Sequence, residues 1–290
     1  MKIHAIVVLY NDNNIESVNH ISLLAQQVDK VFLIDNSSDS YADIYGNIER
    51  VVYLPQYKNL GIAAAQNIGI NMAINNGAEF ILFADPDSSI PENAISKLLA
   101  KHILLTSEGF SVGSIGSTAY NANTGQPYPL FTDYIQQINK YHVTEVTYTM
   151  NSISLIKKEM FEKVGLMNEQ LFIDGVDSEW CWRAHAKIGA RFYLDDNVII
   201  KHQLGIGTRK IMGKDRSLAA PYRLFYQYRN YLWFLRCSYI PKPWLRLNGK
   251  KYFLKMIYYS LFAAPRWQYF KNIVRGIAAG IKTSNNQLSL

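Results

Sequence analysis

Short apolar runs and helically spaced ones take turns along the first half of the chain. Ile3–Leu9, Val31–Ile34, Val51–Leu54 and Phe80–Ala84 are nearly unbroken apolar runs of strand length. Between them, Ile15–Gln27 and Asn59–Asn75 repeat apolar residues at the three-to-four spacing of a helix. This alternation predicts an α/β fold with a largely parallel sheet covered on both faces. Strands at Ser111–Ala119, His142–Met150 and Ser152–Ile156 are expected next, then a helix at Lys158–Val164, another from near Asp177, and a strand at Asp196–Lys201. After Gly205 the texture changes. Pro221 to Lys282 reads as basic amphipathic helices parted by Pro241, Pro243 and Pro265, because proline lacks the N–H that a helix interior needs. There are no internal repeats and no low-complexity tracts.

Charge sharpens that division. From Arg216 onward there are 13 Lys and Arg residues and no Asp or Glu, leaving 17 of the 30 basic residues among all 23 acidic ones before it. The expectation is a catalytic domain over 1–215 and a basic, aromatic helical region over 216–290. Tyr, Trp and Phe among the tail's cations favour an anionic membrane surface over nucleic acid. A solvated helical subdomain or an oligomer contact is the blander alternative. Cys181 and Cys237 have no metal or disulfide spacing, which suits a reducing compartment. The apolar start stops at Asn11-Asp12 without a cleavage site, and Met256–Ala264 is too short to span a bilayer. The expected location is therefore cytoplasmic and peripheral on a membrane, which the resemblance given below makes the inner face of a bacterial plasma membrane.

In a parallel sheet the ligand meets the carboxyl ends of the strands, so the residues just past each strand carry the candidate chemistry. They are Tyr10-Asn11-Asp12, Asp35-Asn36-Ser37-Ser38 and Asp85-Pro86-Asp87-Ser88. Asp, Asn and Ser are also ordinary turn residues, and Asp35 alone reads equally well either way. Asp85 and Asp87 say more: positions i and i+2 of an extended segment project to one side, and Pro86 ends the ladder. Two converging carboxylates repel unless a hard divalent ion, Mg²⁺ or Mn²⁺, sits between them and a diphosphate. Asn59 reads as the cap of a helix whose small residues, Gly61 to Ala65, let a backbone or a ligand come close. A second acidic cluster, Asp174-Gly175-Val176-Asp177-Ser178-Glu179-Trp180, runs into Arg183. Asp177 or Ser178 as a cap and Glu179 paired with Arg183 explain part of it. A carboxylate near aromatic walls is also a candidate general base for a sugar hydroxyl. His202, after its strand, is either a core histidine or a further metal ligand.

Together these motifs resemble glycosyltransferase family 2, the inverting enzymes of GT-A fold, and within it the rhamnosyltransferases of bacterial O-antigen and cell-wall polysaccharide assembly. The landmarks are Val8-Leu9-Tyr10-Asn11, Ile34-Asp35-Asn36-Ser37-Ser38, Asn59-Leu60-Gly61-Ile62-Ala63, Asp85-Pro86-Asp87-Ser88 and Phe172 to Trp180, with a weaker continuation at Tyr226-Gln227-Tyr228-Arg229-Asn230. The resemblance implies a GT-A, Rossmann-like domain followed by the helical extension. It implies a nucleotide site at Tyr10, Asn11, Asp35, Asn59, Gly61, Asn67 and Asp85, with Asp35 accepting a hydrogen bond from the pyrimidine. It gives the metal to Asp87, Asp85 and His202, the catalytic base to Asp177, and sugar contacts to Asp174, Glu179 and Trp180. The implied donor is dTDP-rhamnose and the implied acceptor a lipid-linked glycan. Leu9 where the family often has Thr, and Pro86 where rhamnosyltransferases often have Gln, bear on the donor more than on the reaction.

Three other readings compete. A UDP-sugar transferase, galactofuranosyl or glucosyl, would use the same motifs. A nucleotidyltransferase would want a Gly-rich basic loop after the first strand, and Tyr10-Asn11-Asp12-Asn13 is not one. A non-enzymatic membrane adaptor would leave the acidic clusters without a purpose.

Overall fold

The computed structural model describes residues 1–121, 135–202, 208–211, 214–217 and 219–284. Its chain divides into two units, the first made of Met1–Glu169 and Asp177–Gln203, the second of Gln170–Val176 and Leu204–Leu290. The second unit thus begins before the charge boundary at 215/216 and also takes in a short stretch of the acidic cluster.

In the first unit β1 (Ile3–Leu9), β2 (Lys30–Asp35), β3 (Val51–Pro55) and β4 (Phe80–Ala84) are the four apolar runs, with α1 (Ile15–Gln27), α2 (Ala42–Tyr45) and α3 (Ile62–Asn75) between them. The remaining elements are α4 (Ala94–Ser107), β5 (Val112–Asn121), β6 (Ile135–Ile138), β7 (Val143–Val146), β8 (Ser154–Lys157), α5 (Lys158–Val164), α6 (Val176–Ile188) and β9 (Arg191–His202). Among the described residues one nine-stranded sheet runs β3-β2-β1-β4-β8-β5-β9-β7-β6. β3, β2, β1 and β4 are mutually parallel, as are β5 and β9, whereas β8 runs antiparallel between β4 and β5. The full burial of Ala5, Val7, Leu9, Leu33, Ile34 and Leu82 explains why these strands carry apolar residues without alternation.

Sequence order turns back at β1: β2 and β3 lie on one side of it and β4 on the other. Such a switch point opens a crevice beyond the carboxyl ends of β1 and β4. The close fit of α3 against the sheet needs a small residue. A Cβ at Gly69 would stand 2.5 Å from Ile6 Cγ2, so a side chain there would push the helix off β1.

The second unit holds β10 (Thr208–Ile211) and β11 (Lys214–Ser217), an antiparallel pair, and α7 (Pro221–Phe234), α8 (Lys242–Leu261) and α9 (Arg266–Lys282). The helices start at the predicted prolines, Pro221 and Pro243 lying in their first turns. Its core gathers Leu224, Tyr228, Tyr259, Ala263, Tyr269 and Ile273. α7 and α9 approach so closely that a Cβ at Gly276 would collide with the Phe225 carbonyl oxygen, and one at Gly280 would meet the Leu232 side chain at 2.9 Å. Among the described residues no helix is long and apolar enough to cross a membrane.

Candidate active site

The first cluster forms at the switch point. β2 ends in Asp35, fully buried, whose Oδ1 accepts from the Ser37 N–H at 2.9 Å and the Ser37 hydroxyl at 2.5 Å. Its Oδ2 accepts from the Tyr53 hydroxyl at 2.5 Å, delivered from neighbouring β3. Burial, reinforced by that carboxylate, raises the pKa of Tyr53 and keeps it a donor. Ser37 Oγ in turn accepts from the Asn11 N–H at 2.7 Å, so the ends of β1 and β2 are tied together. Asn11 takes a left-handed φ of 51°, a conformation Asn tolerates better than most residues, and Tyr10 beside it is exposed.

Asn36 extends the network: its amide donates to the Gly61 carbonyl at 3.0 Å, while its buried Oδ1 has no hydrogen-bond partner among the described residues. Gly61 occupies the N-cap position of α3 with φ 84°. Asn59 therefore does not cap the helix as expected. Its Oδ1 accepts from the Gly61 N–H at 2.9 Å and shapes the turn that leads in. Asn67, expected at the nucleotide, is buried and points elsewhere. Its Nδ2 donates to the Met167 carbonyl at 2.9 Å and to Glu169 Oε1 at 2.8 Å, while its Oδ1 accepts from the Met167 N–H at 2.9 Å. These bonds, each contributing about 1 kcal/mol, tie α3 to the Met167–Glu169 segment.

Past β4, Asp85 is half-buried and Asp87 exposed, with a turn closed by the Ser88 N–H donating to the Asp85 carbonyl at 3.2 Å. Ser88 Oγ is fully buried there and has no hydrogen-bond partner among the described residues. Such an orphaned oxygen beside two carboxylates suits a site that a ligand completes. Among the described residues no group of three His, Cys, Asp or Glu could hold a metal on its own. The His202 side chain, expected as the third ligand, lies outside the described residues. The carboxylate pair fits a Mg²⁺- or Mn²⁺-type ion, because such ions take one or two carboxylates and fill their remaining positions with substrate oxygens and water.

The second acidic cluster separates into three fates. Asp177 sits half-buried in the first turn of α6, its Oδ1 accepting from the Ser178 N–H at 2.8 Å. Glu179 is fully buried and accepts two bonds from Arg183, at 2.7 Å from Nε and 3.1 Å from Nη2. Arg183 also donates to the carbonyls of Val164 and Leu166. Trp180 is buried against Phe161 and donates to the Gly165 carbonyl at 2.9 Å. Glu179 and Trp180, expected at the sugars, are thus both buried with partners inside the protein. One helical turn carries Glu179 from the acidic loop into the interior, where an ion pair and a packed indole anchor α6 to α5.

Asp174 belongs to the second unit. Arg223 holds both its carboxylate oxygens, with Nε at 3.2 Å and Nη2 at 2.5 Å. Asn230, buried in α7, donates through Nδ2 to the carbonyls of Leu171, Ile173 and Asp174, and Arg229 donates to those of Gln170 and Leu171. Phe172 stacks on Tyr226 at 4.6 Å between ring centroids. The Tyr226 to Asn230 motif is thus what clamps the Phe172–Asp174 loop. Sequence reasoning missed Tyr53 and Ser37 as partners of Asp35, and Arg223 as the partner of Asp174. Tyr53 could have been found from register, since parallel pairing sets β3 beside the end of β2. No local signal marks Arg223.

Comparison with known proteins gives this arrangement a family. Across 97% of its length the chain is 31% identical to the dTDP-rhamnosyl transferase RfbF of Shigella flexneri, covering 95% of that protein. It is 25% identical to the glycosyltransferase GlyG of Streptococcus pneumoniae serotype 4, with 68% of this chain and 69% of that one aligned. Among solved structures, S. aureus TarS 1–349 in complex with UDP-GlcNAc superposes with a TM-score of 0.58 at 16% identity, over 96% of this chain and 81% of that one. GalNAc-T7 with UDP, GalNAc and Mn²⁺ gives 0.57 at 13% identity, over 91% of this chain and 58% of that one. The model of glycosyl transferase family 2 matches residues 5–165, and with the polar strand ends at the switch point of the sheet this places the chain in that family.

Proposed function

We propose that this glycosyltransferase moves L-rhamnose from dTDP-rhamnose to a lipid-linked saccharide, with inversion at the anomeric carbon. The single observation that carries the donor is the near-full-length identity to the Shigella dTDP-rhamnosyl transferase. Asp35 takes the pyrimidine, Asn11 and Gly61 bring backbone close to the nucleotide, and Asp85 and Asp87 would hold a divalent ion. When bound, that ion offsets the charge that develops on the leaving nucleoside diphosphate. Asp177 accepts the proton of the acceptor hydroxyl as that oxygen attacks the face opposite the leaving group. One base suffices, because a single displacement has no covalent intermediate. What supports Asp177 is its half-buried place in the first turn of α6, at the acidic cluster that resembles the family's motif.

Thermal shift and product analysis with dTDP-rhamnose, UDP-glucose, UDP-galactofuranose and GDP-sugars test the donor. Stabilisation and product with dTDP-rhamnose are expected. Product from a UDP-sugar with none from dTDP-rhamnose would replace it by the UDP-sugar reading.

A lipid-linked acceptor calls for a membrane surface, and α8 supplies support for one. Phe253, Leu254, Ile257 and Leu261 project from a single face of the helix and are 39% to 65% exposed, with Phe262 and Trp267 exposed just beyond. Arg246 and Lys250 fall on the same face and are exposed too. Each cation near an anionic leaflet contributes about 1 kcal/mol, and salt screens it. Cosedimentation with anionic liposomes is therefore expected, weakening across a salt series, and little with neutral ones. Binding indifferent to lipid charge and salt would reassign this face to a protein contact.

A further inference from the structure

Phe172, Asp174 and Gly175 take left-handed φ values of 63°, 65° and 88°, three such residues within four positions. For a residue with a Cβ that region costs about 1–3 kcal/mol, and it persists only where the surroundings over-determine it. The surroundings here are one face of α7. Arg223, Tyr226 and Asn230 stand at i, i+3 and i+7 of that helix and so share a stripe. Arg223 holds the Asp174 carboxylate, the Tyr226 ring stacks on Phe172, and Asn230 donates to the carbonyls of Leu171, Ile173 and Asp174 at 2.9 to 3.0 Å. These three bonds and the two from Arg229 to Gln170 and Leu171, at about 1 kcal/mol each, are of the size needed to hold two strained side-chain-bearing residues. Asn230 is 1% exposed, and its other end fixes its orientation: Oδ1 accepts from Arg229 Nε at 3.0 Å and Nη2 at 2.8 Å. A guanidinium only donates, so the amide cannot turn over and its nitrogen must face the carbonyls. Arg229 is steadied in turn by the Trp233 ring, whose centroid lies 4.1 Å from its Cζ.

The clamped loop ends where α6 begins, with Val176 the first residue of that helix and Asp177 the second. A helix sets each residue at a fixed rotation from the one before, so the place of Val176 decides that of the Asp177 side chain. We infer that Asn230 is a positioning residue for the base: by fixing the strained loop 170–175 it sets where the first turn of α6 starts, and so where the Asp177 carboxylate stands. The inference rests on the reading of Asp177 as the base and deepens it. α7 then has a part in the reaction beyond its place in the helical core.

Asn230→Asp in the full chain tests it. The change keeps the volume of the side chain and the Oδ1 that Arg229 grips, and takes away every donor to the loop. Hydrogen–deuterium exchange of the peptide covering residues 170–180 should quicken at least about 10-fold, while peptides of β1 and β4 stay as in the wild type. Release of dTDP from dTDP-rhamnose in Mg²⁺, with water as the acceptor, should slow in kcat by roughly 10- to 100-fold at unchanged donor KM, the cost of displacing a reacting group by about 1 Å. A double-mutant cycle with Asp177→Asn separates positioning from mere support. If Asn230 acts through Asp177, Asn230→Asp costs little more once that carboxylate is gone, whereas a general loss of structure lowers both backgrounds alike. Tyr226→Leu removes only the stack on Phe172 and should move exchange and kcat the same way by a smaller factor, which keeps the test open should Asn230→Asp fail to fold. Unchanged exchange over residues 170–180, or effects that simply multiply in the cycle, overturn the inference. Failure of the base reading shows separately, as Asp177→Asn alone keeping its turnover. Failure of the donor reading shows as no release of dTDP by the wild type, and exchange then still decides whether Asn230 fixes the start of α6.

Discussion

Replacing Asp177 with asparagine is expected to lower turnover by about 10² or more, the usual contribution of a positioned general base, with donor binding and thermal stability near normal. Asparagine keeps the size of the side chain and its Oδ1, so the bond from the Ser178 N–H at the start of α6 survives. What disappears is proton acceptance. The substitution therefore separates the local bond at the start of the helix from the proposed proton transfer. The surroundings make the outcome decisive. Glu179 is fully buried against Arg183 and Asp174 is held by Arg223, so either would have to give up an ion pair to serve as base. Single-turnover rates, with donor affinity measured by calorimetry, are the check. Turnover within a few-fold of wild type would leave Asp177 a structural residue of the first turn of α6.

The second large effect is expected at Asp87. Asp87→Ala should abolish transfer and remove the metal-dependent part of nucleotide binding while the fold stays intact. Asp87 is exposed past the end of β4, so its truncation opens no cavity. Its partner Asp85 alone gives a hard cation one carboxylate, and the diphosphate then lacks its counter-charge. Nucleotide titrations with and without EDTA read this directly, apart from activity. EDTA should weaken binding in the wild type and leave the variant unchanged. A variant whose nucleotide affinity still depends on the metal would move the site away from this pair.

The sequence alone located the strands that build the switch point, because fully buried parallel strands leave runs of apolar residues that no amphipathic helix shows. β1, α1, β4 and α5 stand where those runs and spacings put them. It also located the polar strand ends, since in such a sheet chemistry follows directly on each strand. Charge marked the helical tail, because acidic residues are missing from it altogether. What only the tertiary structure decided is which polar residues are spent inside the protein. Asn67 and Met167 are a hundred positions apart, and Arg223 and Asp174 forty-nine, so no local spacing announces either pairing. Glu179 and Asp177 look alike in sequence, yet a helix turns residues two apart by about 200°, sending one into the core and leaving the other near the surface. Burial is a property of the assembled fold, and it is burial that turns a charge, an amide or a carboxylate from a solvated group into either a tie or a site.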